Sequence, residues 1–155
     1  MSERPQLRRP WDRSIADCMW LARLTDKTRL HLRGNLNPDF EPFFGHKLAT
    51  DGEFIRFFDF DLDDLITVVR DQPTADEAVE KWFLTHPNIS LERVAAWNQI
   101  ALDLGKPGKP MSRAFSWAKR KYYGGDKADP AVVSVFSGIA WDEGYLNDIP
   151  TGCDE

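Results

Sequence analysis

The sequence has few cysteines and no long run of apolar residues. Its two cysteines, Cys18 and Cys153, are too few for a disulfide framework, and such sparing use is typical of a reducing compartment. No apolar run is long enough for a transmembrane helix, and the first residues lack the apolar stretch of a signal peptide. These absences predict a cytoplasmic protein with no membrane partner.

Signatures of β-structure and of common enzyme chemistry are also missing. No segment alternates β-branched and polar residues with a period of two, as half-buried strands do. No Gly-x-Ser-x-Gly, Walker or dinucleotide-binding motif occurs. His31, His46 and His86 have no Cys, His or carboxylate neighbour at metal-ligand spacing. The sequence therefore predicts neither a metal nor a cofactor.

An acidic run, Asp59-x-Asp61-x-Asp63-Asp64, resembles a calcium-binding loop at first sight. Such a loop needs Gly at its sixth position and Glu at its twelfth, and the chain has Asp64 and Arg70 there. We interpret the run as a helix cap, Asp61, followed by first-turn carboxylates that complement the helix dipole.

What is present is a globular, helix-forming composition. The 155 residues are 42% hydrophobic and 29% charged, with 6 Trp and 10 Phe, enough for one aromatic-rich core. Apolar residues recur at three- and four-residue spacing. We predict an all-α, single-domain bundle of about six to seven helices over residues 14–146, with a flexible N-terminal arm (1–13), a long Phe-rich loop (34–50) and a frayed tail (147–155).

Capping signals set the predicted helix boundaries. The first helix is expected from about Ser14 to Gly34. The later starts are expected at two capping boxes, at single caps and at an Asp-Pro pair: Thr50–Glu53, Asp61, Thr74–Glu77, Ser90, Ser112 and Asp129-Pro130. In the helix after Ser90, Trp97 lies in the middle of the apolar stripe and is predicted to be buried.

The first predicted helix concentrates charge. Arg23, Asp26, Lys27 and Arg29 lie within two turns and carry two more positive than negative charges. This cluster is either a structural ion-pair network or a binding site for an anionic ligand. The second alternative follows because guanidinium groups match the geometry of carboxylate and phosphate groups. As further acids we expect the pair Asp142-Glu143 at the end of the last helix, within salt-bridge range of the cluster.

A second charged feature is the basic segment 106–127. It contains seven bases and one acid, a net charge of +6 within a chain whose total is -5. Its patch Lys119-Arg120-Lys121 stands among aromatic residues, a pattern that nucleic-acid binders use. The net charge of the whole chain disfavours nucleic acid, and an acidic protein surface is the other candidate partner. Phe115 and Trp117 are predicted to be core residues.

Several of these residues resemble a known family. The stretch Trp20–Arg29 followed by Gly34, then Ala96-Trp97-Asn98 and finally Trp141-Asp142-Glu143-Gly144, resembles a bacterial family of uncharacterised proteins, domain of unknown function 5069. The resemblance covers residues 13–144. The chain departs from it in having Tyr145 where an arginine is expected, and in a longer basic segment. It implies a shared fold and no assigned activity.

Two classes of function follow. The favoured one is a non-catalytic binding or regulatory domain that holds an anionic small molecule or protein partner at the first-helix cluster. The alternative is an enzyme acting on a small anionic substrate, with Asp26, His46 or Glu143 as acid or base. A further alternative is weak contact of the basic segment with nucleic acid. The sequence has no nucleophile motif, set of metal ligands or phosphate-binding loop, and this favours a binding domain over an enzyme.

Overall fold

The computed structural model describes residues 6–150 and is entirely helical in this range, which confirms the all-α prediction. The described residues form seven α-helices: α1 (Leu21–Leu32), α2 (Thr50–Phe58), α3 (Leu62–Asp71), α4 (Asp76–Thr85), α5 (Leu91–Ala101), α6 (Ser112–Tyr122) and α7 (Val135–Glu143). Three short 3₁₀ helices accompany them: Glu41–Phe43, Gly125–Lys127 and Leu146–Asp148. None of the helices among these residues has the length and apolarity needed to cross a membrane.

The chain divides into two compact units, residues 1–95 and 96–155. The first contains α1 to α4 and the first turns of α5. The second contains the rest of α5, then α6 and α7 with the last two 3₁₀ helices. In the first unit α3 packs against both α1 and α4, and in the second α6 packs against α7.

Helix α1 is buried on nearly every side, including at polar positions such as Arg23, Thr25 and Thr28. The two threonine hydroxyls donate to the carbonyls of Leu21 and Leu24, each at 2.8 Å, so the buried helix satisfies them internally. Arg23 and Lys27, two cations of the predicted charge cluster, are therefore buried in the interior of the first unit.

The predicted start of α1 at Ser14 is also wrong. Residues 14–19 form turns instead of helix, and Ala16, Asp17 and Trp20 have positive φ angles. Trp20 is the N-cap, and its amide donates to the carbonyl of Pro10 at 2.8 Å. Contacts of the preceding chain thus override the helical periodicity here.

Aromatic rings fill the core of the first unit. The Phe54 and Phe83 rings stack with an interplanar angle of 9°, and Phe58 meets both rings edge-on. All three side chains are fully buried. Since α2 supplies Phe54 and Phe58 and α4 supplies Phe83, this cluster joins the two helices through the interior.

The Phe-rich loop and the N-terminal residues pack near the C-terminal end of α1, around Leu30. Phe40 and Phe44 contact a small apolar cluster formed by Leu7, Leu30 and Leu36, so the loop is packed against the first unit. Residues 6–13 belong to the predicted flexible arm, yet Leu7 is buried in this cluster. That stretch is therefore anchored to the first unit; residues 1–5 of the arm and 151–155 of the tail lie outside the described residues.

The observed caps differ in part from the predicted ones. Asp61 caps α3 by accepting the Asp63 amide at 2.9 Å, and Ser90 accepts the Arg93 amide at the start of α5. The capping boxes at Thr50 and Thr74 are wrong, since the N-caps there are Ala49 and Ala75 and neither makes a side-chain cap.

Helix α7 begins later than Asp129-Pro130, because Asp129 accepts the Ala131 amide and closes a turn instead. The actual cap is Ser134, in a reciprocal capping box with Ser137.

The second unit is built on buried residues of α5, α6 and α7, among them Trp97, Phe115 and Phe136. The burial of Trp97 confirms the prediction for α5. Gly105 follows α5 with φ +91°, and a Cβ atom there would lie 2.8 Å from the Cβ of Phe115. A glycine is required at this turn both for its backbone conformation and for the close approach of α6.

Replacement of Trp97 by Ala is expected to destabilise the protein by roughly 3–5 kcal/mol, because it removes a fully buried indole and leaves a cavity. Urea unfolding followed by far-UV circular dichroism measures the loss. Leu91→Ala is the matched control on the same helix, since Leu91 is 74% exposed and should change stability by less than about 0.5 kcal/mol. Equal losses in the two variants would contradict this assignment of the inner face.

Candidate functional site

The polar interior of the first unit contains two ion-pair groups around α1. The inner group centres on Asp51, whose side chain is fully buried. Its Oδ1 accepts from the Trp20 indole at 2.8 Å and from Lys27 Nζ at 3.2 Å, and its Oδ2 accepts from the Gly45 amide at 3.0 Å. Lys27 Nζ also lies 4.8 Å from the centroid of the Trp20 ring. One carboxylate thus joins α1, α2 and the Phe-rich loop.

The outer group contains two arginines and two aspartates. Arg8 donates to Asp26 through its backbone amide at 2.7 Å and through its guanidinium. The same guanidinium donates to Asp76 at 2.8 Å. Arg29 donates to Asp76 at 2.8 Å and to the Pro73 carbonyl at 2.7 Å. The two positive and two negative charges balance, so the group acts as a brace between the N-terminal residues, α1 and the start of α4.

This brace shifts the protonation equilibria of its members. Burial disfavours the charge on Arg8, but the hydrogen bonds to Asp76 and Asp26 outweigh burial and raise the pKa of the guanidinium. The hydrogen bond from Arg8 is the main cause that lowers the pKa of Asp76 below its ordinary value, with a second contribution from Arg29. Both shifts favour the charged pair in the folded state.

Arg23 lies between the two groups. Its side chain is almost entirely buried, one guanidinium nitrogen donates to the Arg8 carbonyl at 3.1 Å, and its Cζ is 5.7 Å from the Trp20 ring centroid. The cations of the predicted first-helix cluster are therefore paired with acids that differ in part from the predicted ones.

The sequence predicts the role of Asp26 but not those of Asp51 and Asp76, because both lie inside apparent capping boxes. It also misses Arg8, which falls in the predicted arm.

One sequence signal points to Asp51. Gly52 follows it in the first turn of α2, and a Cβ there would lie 2.4 Å from the His46 carbonyl oxygen. A glycine inside a helical pattern often marks a close backbone approach. Here it lets the loop reach α2, which brings the Gly45 amide to the Asp51 carboxylate.

A cleft of about 460 Å³ opens beside the brace in the first unit. Its cationic side chains are Arg29, Arg33 and Arg70, from the ends of α1 and α3, and its other lining residues are Leu32, Val69, Pro73 and Thr74. Within residues 6–150 the guanidinium groups of Arg33 and Arg70 have no hydrogen-bond or carboxylate partner. The cleft thus combines an apolar wall with an excess of positive charge.

The other predicted site residues occupy separate places. Asp142 and Glu143 end α7 in the second unit, where Glu143 accepts a hydrogen bond from the Tyr145 hydroxyl at 3.0 Å. Their contact with the first-helix cluster stays a prediction. His46 accepts the Leu48 amide through Nδ1 at 3.0 Å. No group of three or more His, Cys, Asp or Glu residues in the described range is placed to hold a metal ion.

The basic patch Lys119, Arg120 and Lys121 lies in the last turn of α6. Of the two aromatic residues predicted to be core, Phe115 is buried and Trp117 is 43% exposed. The prediction for Trp117 is wrong, because α6 turns only its Phe115 side toward the interior of its unit.

These features define an all-helical protein with ion pairs in its interior and an arginine-lined cleft. Residues 6–145 match the family model described as Domain of unknown function (DUF5069), and the chain belongs to that family. No curated protein and no solved structure shows significant similarity to it. The family match agrees with the resemblance seen in the sequence and assigns no chemistry.

Removal of the central carboxylate is expected to destabilise the protein strongly. Asp51→Ala removes the carboxylate to which Lys27, the Trp20 indole and the Gly45 amide donate, and breaking a buried ion pair costs roughly 3–5 kcal/mol. Urea titration measures the effect. Glu53→Ala is the control in the same turn, because the side chains of Glu53 and Arg56 are 25% and 53% exposed and a pair so close to solvent should contribute less than about 1 kcal/mol. A loss in Asp51→Ala no larger than in the control would refute this role.

The lowered pKa of Asp76 gives stability a defined pH dependence. The stabilisation is fully present above the unfolded-state pKa of about 3.9 and is lost as the pH falls through the lower folded-state value. The Asp76→Asn variant, which cannot titrate there, should therefore show a shallower decline of the urea midpoint between about pH 5 and pH 3 than the parent. Parallel curves for the two proteins would contradict the coupling.

Proposed function

We propose that this chain is a non-catalytic binding or regulatory domain of the bacterial cytoplasm, and that it holds an anionic small molecule in the cleft lined by Arg29, Arg33 and Arg70. The observation on which this rests is the pair of guanidinium groups, Arg33 and Arg70, that line one concave space without a carboxylate partner in the described chain. Arginine offers planar donor pairs that match carboxylate and phosphate oxygens.

The shape of the cleft favours a small molecule over a flat protein surface. A volume near 460 Å³ lies in the range of small-molecule sites. Leu32, 38% exposed, and the exposed Pro73 give it an apolar wall. A ligand with one anionic group and an apolar body would use both features.

The brace prepares Arg29 for this role. Its contacts with Asp76 and the Pro73 carbonyl fix its guanidinium at the edge of the cleft. They also position the α3–α4 connection, which supplies Thr74 to the lining. A preformed site of this kind loses little conformational entropy on binding.

The hydrogen bonds of the three candidate acid–base residues, Asp26, His46 and Glu143, weigh against the enzyme alternative. Both carboxylate oxygens of Asp26 accept hydrogen bonds from Arg8, which leaves this group poorly suited to take a proton from a substrate. His46 is engaged by the Leu48 amide, and Glu143 by the Tyr145 hydroxyl. Acid–base catalysis would need one of these groups to face a substrate, so we favour binding.

The proposed cytoplasmic location rests on the sparing use of cysteine, two residues in 155, which is typical of proteins in reducing compartments.

Isothermal titration with phenyl phosphate and with inorganic phosphate tests the proposal. Phenyl phosphate should bind more tightly, because its ring adds contact with the apolar wall. The double variant Arg33→Gln/Arg70→Gln should weaken its binding by about tenfold or more, since each hydrogen bond to a charged group contributes roughly 1.5–3 kcal/mol. Arg56→Gln, a change at an exposed arginine outside the cleft, is the control. No binding by the parent at millimolar concentration, or equal binding by parent and double variant, would overturn the proposal.

A further inference from the structure

Helix α6 in the second unit presents an unusual exposed face. The helix contains four basic residues, Arg113, Lys119, Arg120 and Lys121, and no acidic one. Within residues 6–150 none of the four has a carboxylate partner, whereas Lys106 in the preceding connection pairs with Asp103 at 2.7 Å. Folding of the unit therefore leaves the positive charge of α6 uncompensated.

Two aromatic rings stand on the same exposed face. Trp117 is 43% and Tyr122 is 44% exposed, and their ring centroids lie 5.7 Å apart in an edge-to-face arrangement. Lys121 Nζ lies 5.1 Å from the centroid of the Trp117 ring and 5.4 Å from that of Tyr122. Because Phe115 already anchors α6 in the core, the exposed indole is not needed for packing.

A shallow groove of about 560 Å³ lies beside α6. Its lining includes two arginines and two serines of the helix: Ser112, Arg113, Ser116 and Arg120. Guanidinium and hydroxyl donors are the side-chain groups that contact phosphate oxygens in protein–nucleic acid complexes. Since Arg113, Trp117 and Lys121 follow one another at four-residue spacing, the groove and the aromatic pair adjoin on the helix surface.

We propose that this face of α6 binds single-stranded nucleic acid, with backbone phosphates in the groove and a base stacked on Trp117. Cations for phosphates beside aromatic rings for bases are the two elements of sequence-independent single-strand binding. Helix α6 exposes no Leu, Ile, Val or Phe, and two aromatic rings alone do not make the continuous apolar face of a membrane-surface helix. The negative charge of the rest of the chain confines the attraction to this segment.

Fluorescence anisotropy with labelled oligo(U) and oligo(dT) of about 12 nucleotides, a length that covers a typical site, tests the proposal at several salt concentrations. The parent should bind both, with an affinity that falls as salt rises. Trp117→Ala should weaken binding by about 5- to 150-fold, the range for loss of one base–aromatic stack. Arg113→Gln/Arg120→Gln should reduce the slope of log K against log salt by about 1.4, which corresponds to two phosphate contacts.

A control variant locates the binding on α6. Lys81→Gln removes an exposed charge from α4 and should leave binding unchanged. All changed residues on α6 are exposed, and equal melting temperatures of the variants verify their folding. Absence of binding at low salt, equal binding by Trp117→Ala, or tighter Trp117-dependent binding to vesicles of anionic phosphatidylglycerol would overturn the proposal.

Discussion

The interior of the first unit depends on one constraint, the burial of cationic side chains on α1. A cation removed from water is tolerated only when a carboxylate and further hydrogen bonds compensate for lost hydration. Lys27 meets this condition through Asp51, which sits on another helix and also accepts from the Phe-rich loop. The packing of α2 and of the loop against α1 is therefore set by electrostatics as well as by apolar contact.

The outer brace applies the same constraint nearer to solvent. Arg8, Asp26, Arg29 and Asp76 come from three separate parts of the chain. Because the group is charge-balanced, it supplies structural order and holds Arg29 at the cleft without adding net charge there. Arg33 and Arg70 lie outside that balance, and this difference separates a structural group from a candidate binding site beside the same helix.

The sequence predicts those parts of the structure that are governed by local rules. The caps Asp61 and Ser90, the burial of Trp97 and the all-helical class follow from capping chemistry and apolar spacing. The start of α1 cannot be predicted this way, since Trp20 takes a positive φ that periodicity does not reveal. The acids Asp51 and Asp76 resemble capping-box residues in a local window, and such a window holds no information on contacts that span 24 or 68 residues. The exposure of Trp117 is equally hard to predict. Phe115 and Trp117 point to different sides of α6, and the sequence alone does not show which side faces the core.

The long separation between Arg8 and Asp76 has a consequence for biosynthesis. Asp76, the acid that the Arg8 guanidinium joins, leaves the ribosome 68 residues after Arg8. At a translation rate of roughly 5–20 residues per second, the N-terminal stretch must wait several seconds before the brace can close. The contacts of Arg8 with Asp26 and of Leu7 with Leu30 involve residues that are synthesised sooner, so the link to α4 is the last of these contacts that can form during synthesis.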